Sequence, residues 1–206
     1  MQYAELMDFC FVWLRKSLGD EISAFDREST RTEHELTGNG TLGRGLTAFT
    51  QGISEVFQAM SQAMKPGAPL VFTYHHNSTE AYLPLVVAIL DAGLTCTAVL
   101  PVPAEMAASL HIAGTKSSIL DSVFVCREVG HETMAGSVDE RVEADRAAML
   151  EAGYSATADD LLCLRAGHEA ARAIRSLIDD WNRALPLEER MRIARSRLID
   201  TGGMHD

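Results

Sequence analysis

The chain has 206 residues, 47% hydrophobic and 23% charged, which is the composition of a globular domain with a substantial core. Its 18 basic and 29 acidic residues give a net charge of −11, which argues against phosphate attraction by the whole surface but allows a local basic face. The apolar stretch AYLPLVVAIL is too short to cross a membrane, and the N-terminus lacks the pattern of a signal peptide. We therefore expect a cytoplasmic protein with no membrane partner.

The first predicted element is a helix over residues 4–18, which is apolar on more than one side. Such a helix is suited to burial by neighbours on several faces. In an isolated chain we expect Phe9, Phe11, Trp13 and Leu14 to expose apolar surface and to favour association.

Residues 20–45 are polar and predict a loop. This loop contains GNGTLG at 38–43, which matches the dinucleotide-binding pattern G-x-G-x-x-G, but no predicted strand precedes it. A mobile loop is therefore favoured over a nucleotide site. Apolar residues at helical spacing then predict a helix over 46–64, which the segment KPGAP ends.

The segment LVFTYHH that follows is short, apolar and rich in β-branched and aromatic residues, which is typical of a buried parallel strand. Asn77 can cap the next helix with Glu80 in a capping box, and Gly93 can end it. Because Pro84 disfavours a helix already under way, the regular helix either begins near Leu83 or kinks there. Two further strands, over 95–102 and 121–127, complete the tail of an open α/β sheet.

The remainder of the chain predicts helices over residues 138–153, 158–181 and 187–199. The last of these carries four arginines that could contact nucleic acid: Arg190, Arg192, Arg195 and Arg197. Given the acidic chain, a solvated helix face is the favoured alternative.

The cysteines are far apart in the chain and include no C-x-x-C pair: Cys10, Cys96, Cys126 and Cys163. This spacing favours reduced, mostly buried thiols over a zinc site or a disulfide framework. His75 and His76 are adjacent, so on a strand they point to opposite faces and are poorly placed to share a metal. Residues 74–77 nevertheless follow the carboxyl end of a predicted strand, where open α/β sheets bind ligands. Pocket lining and helix capping are both open roles for them.

Three segments together resemble one family: QYAELMDFCFVWLRKSL, MKPGAPLVFTYHHNSTEAYLPLVVAILDAGL and SSILDSVFVCRE. They are similar to the C-terminal half of adenine-specific DNA methyltransferases of the class I, S-adenosylmethionine-dependent, Asp-Pro-Pro-Tyr type that carry an N-terminal domain of unknown function. The resemblance runs from Gln2 to Arg127. It implies half of a Rossmann-like sheet, in the chain order helix, strand five, helix, strand six, strand seven. It divides the chain into a partial methyltransferase domain, residues 1–128, and a helical extension, residues 129–206.

The resemblance also implies that two functional elements lie elsewhere. In the family, S-adenosylmethionine binds a glycine-rich turn after the first strand, and the Asp-Pro-Pro-Tyr motif holds the flipped adenine. The chain contains no Asp-Pro-Pro-Tyr motif, since no two prolines are adjacent. Its candidate glycine-rich turn, GNGTLG, follows no predicted strand. We therefore expect a fragment, or one chain of a split enzyme, that binds no S-adenosylmethionine alone, and a physiological polypeptide that is longer at its N-terminus. Its partners would be DNA and an N-terminal methyltransferase half.

No residue of the chain can be assigned a catalytic role from the family. Six fall where the family's target-base pocket would be: Tyr3, Asp8, Tyr74, His75, His76 and Asn77. Structural roles are equally open, namely packing for the tyrosines, capping for Asn77 and a surface or helix-start charge for Asp8. The alternative function is a non-catalytic partner subunit that makes protein or nucleic-acid contacts through a sheet edge and the C-terminal helices.

Overall fold

The computed structural model describes residues 3–19, 21–31, 36, 45–103 and 120–199. The chain divides into two compact units, residues 1–45 and residues 46–206, and each is described by itself. The GNGTLG segment and the loop after the second strand lie outside the described residues. None of the described helices is both long enough and apolar enough to traverse a bilayer.

The first unit is built on helix α1, Tyr3–Leu18, as predicted. Its apolar side chains are largely exposed, with Phe9 at 72% and Trp13 at 62% of their full surface. Phe11 instead packs against Phe25, with ring centroids 5.4 Å apart. The expected exposure of apolar surface in this chain is therefore confirmed for Phe9, Trp13 and Leu14 but not for Phe11. The distribution of apolar residues predicts how much apolar surface the helix carries, but it does not predict which residues cover that surface.

The second unit begins with α2, Leu46–Ala63, which matches the predicted helix and buries Phe57. Its sheet has three strands: β1, Leu70–Tyr74; β2, Leu94–Pro103; and β3, Leu120–Glu128. The order across the sheet is β1-β3-β2, and β3 is antiparallel to both neighbours. Since each outer strand opposes β3, β1 and β2 run in the same direction.

The three predicted strands are confirmed, but the predicted setting of β1 is wrong. Among the described residues β1 pairs only with β3, and its side chains alternate between half-buried and exposed, with Val71 53% exposed. A five-residue apolar run cannot distinguish a strand buried on both faces from an edge strand with one covered face.

Pro84 lies in the first turn of α3, Leu83–Asp91, where its missing N–H is not needed. A 3-10 turn, Thr79–Tyr82, precedes the helix, so the first of the two alternatives for Pro84 is confirmed. The predicted capping box is wrong, because Ser78 rather than Asn77 precedes this turn and its side chain makes no capping bond. Gly93 ends the helix with a φ of +73°, a conformation that favours glycine.

Three helices follow the sheet: α4, Val138–Glu151; α5, Ala158–Leu177; and α6, Leu187–Ile199. Capping boxes at Ser137 and Thr157 begin α4 and α5. Buried residues of α2, α3, α5 and α6 form one core with β2 and β3. The residues after 128 therefore share the core of the sheet, and the functional division at 128/129 stays a prediction.

One face of the sheet meets this core closely. A Cβ added at Gly167 of α5 would lie only 2.7 Å from Ser122 Oγ and 3.2 Å from Val99 Cγ1, which explains the glycine. The opposite face, here called the outer face, is uncharged at its centre and partly open. It consists of Val71, Thr73, Ala98, Leu100, Val102, Val123 and Val125, which share a side by their register.

A buried carboxylate ties the helices together at the end of α3. Asp91 is 1% exposed and accepts hydrogen bonds from Ser54 of α2, from Trp181 Nε1 at 2.9 Å and from Arg190 of α6. The Arg190 side chain is itself only 13% exposed. Three segments distant in sequence therefore meet at one charge.

We predict that Asp91→Asn lowers the free energy of unfolding by roughly 3–5 kcal/mol, because it leaves the Arg190 charge buried without its partner. Chemical denaturation measures the change, and Asp179→Asn, at an exposed position, is the matched control. The double variant Asp91→Asn, Arg190→Met should recover part of the loss. A cost for Asp91→Asn no larger than that of the control would contradict this role.

Candidate functional site

The candidate site lies at the carboxyl end of β1, where residues 74–77 leave the sheet. Tyr74 pairs with Ser122 near the start of β3, and β2 ends at the same edge because it runs in the direction of β1. The structure therefore brings Tyr74, His75, His76 and Asn77 to the edge at which α/β sheets bind ligands.

His75 is held by the backbone of β3. Its Nδ1 lies 2.7 Å from the carbonyl oxygen of Leu120 and 3.7 Å from a carboxylate oxygen of Asp121. A carbonyl can only accept, so Nδ1 carries the proton of this bond, and a neutral ring keeps Nε2 as an acceptor. With its side chain 37% exposed, His75 can accept a hydrogen bond or a proton from a bound molecule.

Cys163 of α5 lies behind His75 and is completely buried. Its Sγ lies 3.8 Å from His75 Nδ1, 3.3 Å from the Leu120 carbonyl oxygen and 3.7 Å from the Tyr82 hydroxyl. A catalytic cysteine, histidine and acid require the thiol and the acid at different ring nitrogens. Here both approach Nδ1, and no substrate reaches the thiol, so the cluster supports His75 rather than forming a nucleophile.

The other residues of the segment stabilise its path. The Tyr74 hydroxyl donates to the carbonyl of Ala81 at 3.0 Å, and burial raises the pKa of Tyr74. His76 Nδ1 accepts the backbone N–H of Ser78 at 2.9 Å. The side chain of Asn77 is exposed and has no hydrogen-bond partner in the described part of the chain. His75 and Asn77 therefore present the polar groups that are available to a ligand.

Asp8 and Tyr3 belong to the first compact unit. Asp8 accepts hydrogen bonds from the Ser29 hydroxyl and from the Thr30 hydroxyl and backbone N–H, each at 2.6 Å. These bonds, that of Ser29 foremost, lower the pKa of Asp8 to about 2. Asp8 thus anchors the turn at residues 29–31, while the side chain of Tyr3 lies outside the described part.

Three of the four arginines of α6 lie close to a carboxylate, so the helix does not present four unpaired positive charges. Arg190 is paired with Asp91, and Arg195 Nε lies 3.0 Å from Glu80. Arg192 forms an ion pair with Glu189 at 2.5 Å on the same helix. Only Arg197 lacks a side-chain partner among the described residues, so the proposed nucleic-acid contact stays a prediction with little uncompensated charge to support it.

The described surroundings of the adjacent histidines His75 and His76 do not suit a metal ion. Within the ranges that the structure describes, no three His, Cys, Asp or Glu side chains are grouped as a metal ion would need. The two rings are also directed to different backbone partners, Leu120 and Ser78.

We predict that a small thiol-alkylating reagent modifies Cys10 rapidly in the folded protein and the other three cysteines only after unfolding. Cys10 is exposed, whereas Cys96, Cys126 and Cys163 are buried. The adjacent Cys96 thiol and burial also raise the pKa of Cys126, which keeps the unreactive thiol form. Mass spectrometry of the alkylated protein measures the extent, and Cys10→Ser is the control. Rapid alkylation of Cys163 would reopen a nucleophilic role.

Comparison of the chain with models of protein families, with curated proteins and with solved structures finds no match. The chemistry of the candidate site therefore depends on the residues described above.

Proposed function

We propose that this chain supplies the C-terminal part of an adenine-specific DNA methyltransferase, and that it transfers no methyl group until a second segment provides the S-adenosylmethionine site and the Asp-Pro-Pro-Tyr motif. The observation that carries the proposal is the succession of elements in the second unit, which follows the chain order that the resemblance implies. Two parallel strands, β1 and β2, are joined through α3, and the reversed strand β3 lies between them.

The chain order of the elements is the order that the family resemblance implies. Strand β1, helix α3, strand β2 and strand β3 follow one another, as strand five, a helix, strand six and strand seven do in the resemblance. The order across the sheet, β1-β3-β2, differs from the chain order, because β3 lies between the two strands that precede it. A small antiparallel sheet made of successive strands would instead place neighbours in chain order, so this crossover favours a larger sheet of which the three strands are a part.

The edge of β1 supports the same proposal. Among the described residues β1 pairs on one side only, and its segment Leu70–Tyr74 has neither proline nor charge to block another strand. A strand ending in the Asp-Pro-Pro-Tyr motif could pair there. Parallel pairing would bring that motif to the edge occupied by His75 and Asn77.

The two available polar groups suit recognition of a base removed from the DNA stack. An extruded adenine is held by hydrogen bonds to its Watson–Crick edge, which has one amino donor and one ring-nitrogen acceptor. His75 Nε2 can accept from such an amino group, and the Asn77 amide can both donate and accept. Their proposed role is to position the base, while the missing motif supplies the contacts at the reacting amino group.

The test joins the chain to the protein segment encoded upstream and measures transfer of a labelled methyl group from S-adenosylmethionine to DNA adenine. We expect activity in the joined protein and none in the chain alone. His75→Ala and Asn77→Ala should each reduce activity by about tenfold or more, because each removes a hydrogen bond to the base. His131→Ala, at an exposed turn beyond β3, is the control and should leave activity unchanged.

Two results would contradict the proposal. The first is an upstream frame, with its neighbouring genes, that encodes neither a glycine-rich turn nor the Asp-Pro-Pro-Tyr motif. The second is a joined protein that has both motifs, folds and binds S-adenosylmethionine but methylates no adenine.

A non-catalytic partner subunit is the second candidate, and the exposed apolar side chains favour it. Phe9 and Trp13 of α1 and Leu100 of the outer face are each about half exposed or more. Exposed apolar surface of this kind marks protein contacts more often than nucleic-acid contacts. Stable binding to a second protein without any methyl transfer in the joined form would select this candidate.

A further inference from the structure

The contact between α4 and α5 ends in two arginines that form no ion pair with a described residue, Arg141 and Arg175. The two helices form an antiparallel hairpin, so each turn toward the start of α4 faces a turn toward the end of α5. Met149 packs near Leu164, and one turn on, Asp145 Oδ2 lies 2.7 Å from Nε2 of the buried His168. One further turn brings Arg141 level with the last turns of α5.

Arg141 is 5% exposed, which is rare for a charged side chain. Its Nη2 and Nε donate to the carbonyl oxygens of Ala135 and Gly136, at 2.5 Å and 3.4 Å. No carboxylate lies within ion-pair distance of its guanidinium in the described part of the chain. Two carbonyl dipoles and the more distant charge of the exposed Glu140 therefore offset this buried charge, although a buried cation is ordinarily paired directly with an anion.

Arg175, in the last turn of α5, is a second cation, and its charge interacts with that of Arg141. It is half-buried, and its side chain has no acceptor among the described residues. Burial, and next the nearby charge of Arg141, hold the pKa of Arg175 below its usual value. The neighbouring Arg172 differs, because its Nε lies 2.7 Å from Glu169.

We propose that Arg141 and Arg175 bind a small oxyanion, either free phosphate or the phosphate group of a small phosphomonoester. Guanidinium groups present several N–H donors in a plane, a geometry that matches the oxygens of phosphate. A dianionic group between the two side chains would supply the direct ion-pair partner that the described residues do not provide. The site is separate from the carboxyl end of β1 and does not depend on methyl transfer.

The test titrates the full chain with inorganic phosphate by calorimetry, and follows thermal unfolding in phosphate against chloride at equal ionic strength. We expect saturable binding and a melting temperature that rises with phosphate, since a ligand of the folded state stabilises it. Arg175→Gln should weaken phosphate binding by about tenfold or more, because charge-assisted hydrogen bonds are lost. Arg192→Gln, an exposed and paired arginine, is the control and should bind as the parent does.

A second measurement separates ligand binding from a structural role. Without phosphate, Arg175→Gln should melt at or above the temperature of the parent, because it removes a like charge beside Arg141. A phosphomonoester such as glycerol 3-phosphate distinguishes the two sources: tighter binding than phosphate assigns the site to an ester, weaker binding to the free ion. Absence of saturable phosphate binding, or equal binding by Arg175→Gln and the parent, would overturn the proposal.

Discussion

The packing of the second unit depends on the carboxylate of Asp91. Helix α3 is buried along all nine of its residues, so apolar contacts hold it in place without selecting one arrangement of its neighbours. Asp91 provides that selection, because its charge is tolerated only when Ser54, Trp181 and Arg190 all reach it. Hydrogen bonds to the carboxylate of Asp91 thus fix the positions of α2, of α6 and of the segment between α5 and α6 relative to the apolar helix α3.

Most of the helices and strands could be predicted because local chemistry determines them. Apolar spacing located α2 and α5, and the missing N–H of Pro84 gave the start of α3 as one of two alternatives. Strand pairing could not be predicted, because the partner of Leu70–Tyr74 lies about fifty residues later in the chain and leaves no local pattern. The predicted cap at Asn77 is wrong because a 3-10 turn begins after Ser78, and the ring of His76 accepts the backbone N–H of Ser78.

For the candidate site too, some features could be predicted from local sequence and others depend on the fold. Its location could be predicted, since residues after the carboxyl end of a strand are exposed in any α/β sheet. Its internal contacts could not, because Cys163 lies 88 positions from His75. The arginines of α6 illustrate both cases: the pair of Arg192 with Glu189 is visible as an i,i+3 spacing, whereas the pair of Arg190 with Asp91 requires the fold.

The position of β3 has a kinetic consequence. Among the described strands β3 comes last in the chain, yet both other strands pair with it, so neither pair can form before residues of the segment 120–128 have been made. During synthesis β1 and β2 therefore lack the strand partner that they have in the sheet, although α2 can already pack on β1 through Phe57 and Phe72. Long-range pairing of this kind folds slowly and leaves strand edges open to other chains meanwhile. Until β3 has been synthesised, the backbone groups of β1 and β2 are therefore free to pair with strands of other chains. We expect misassembly to occur mainly from this intermediate.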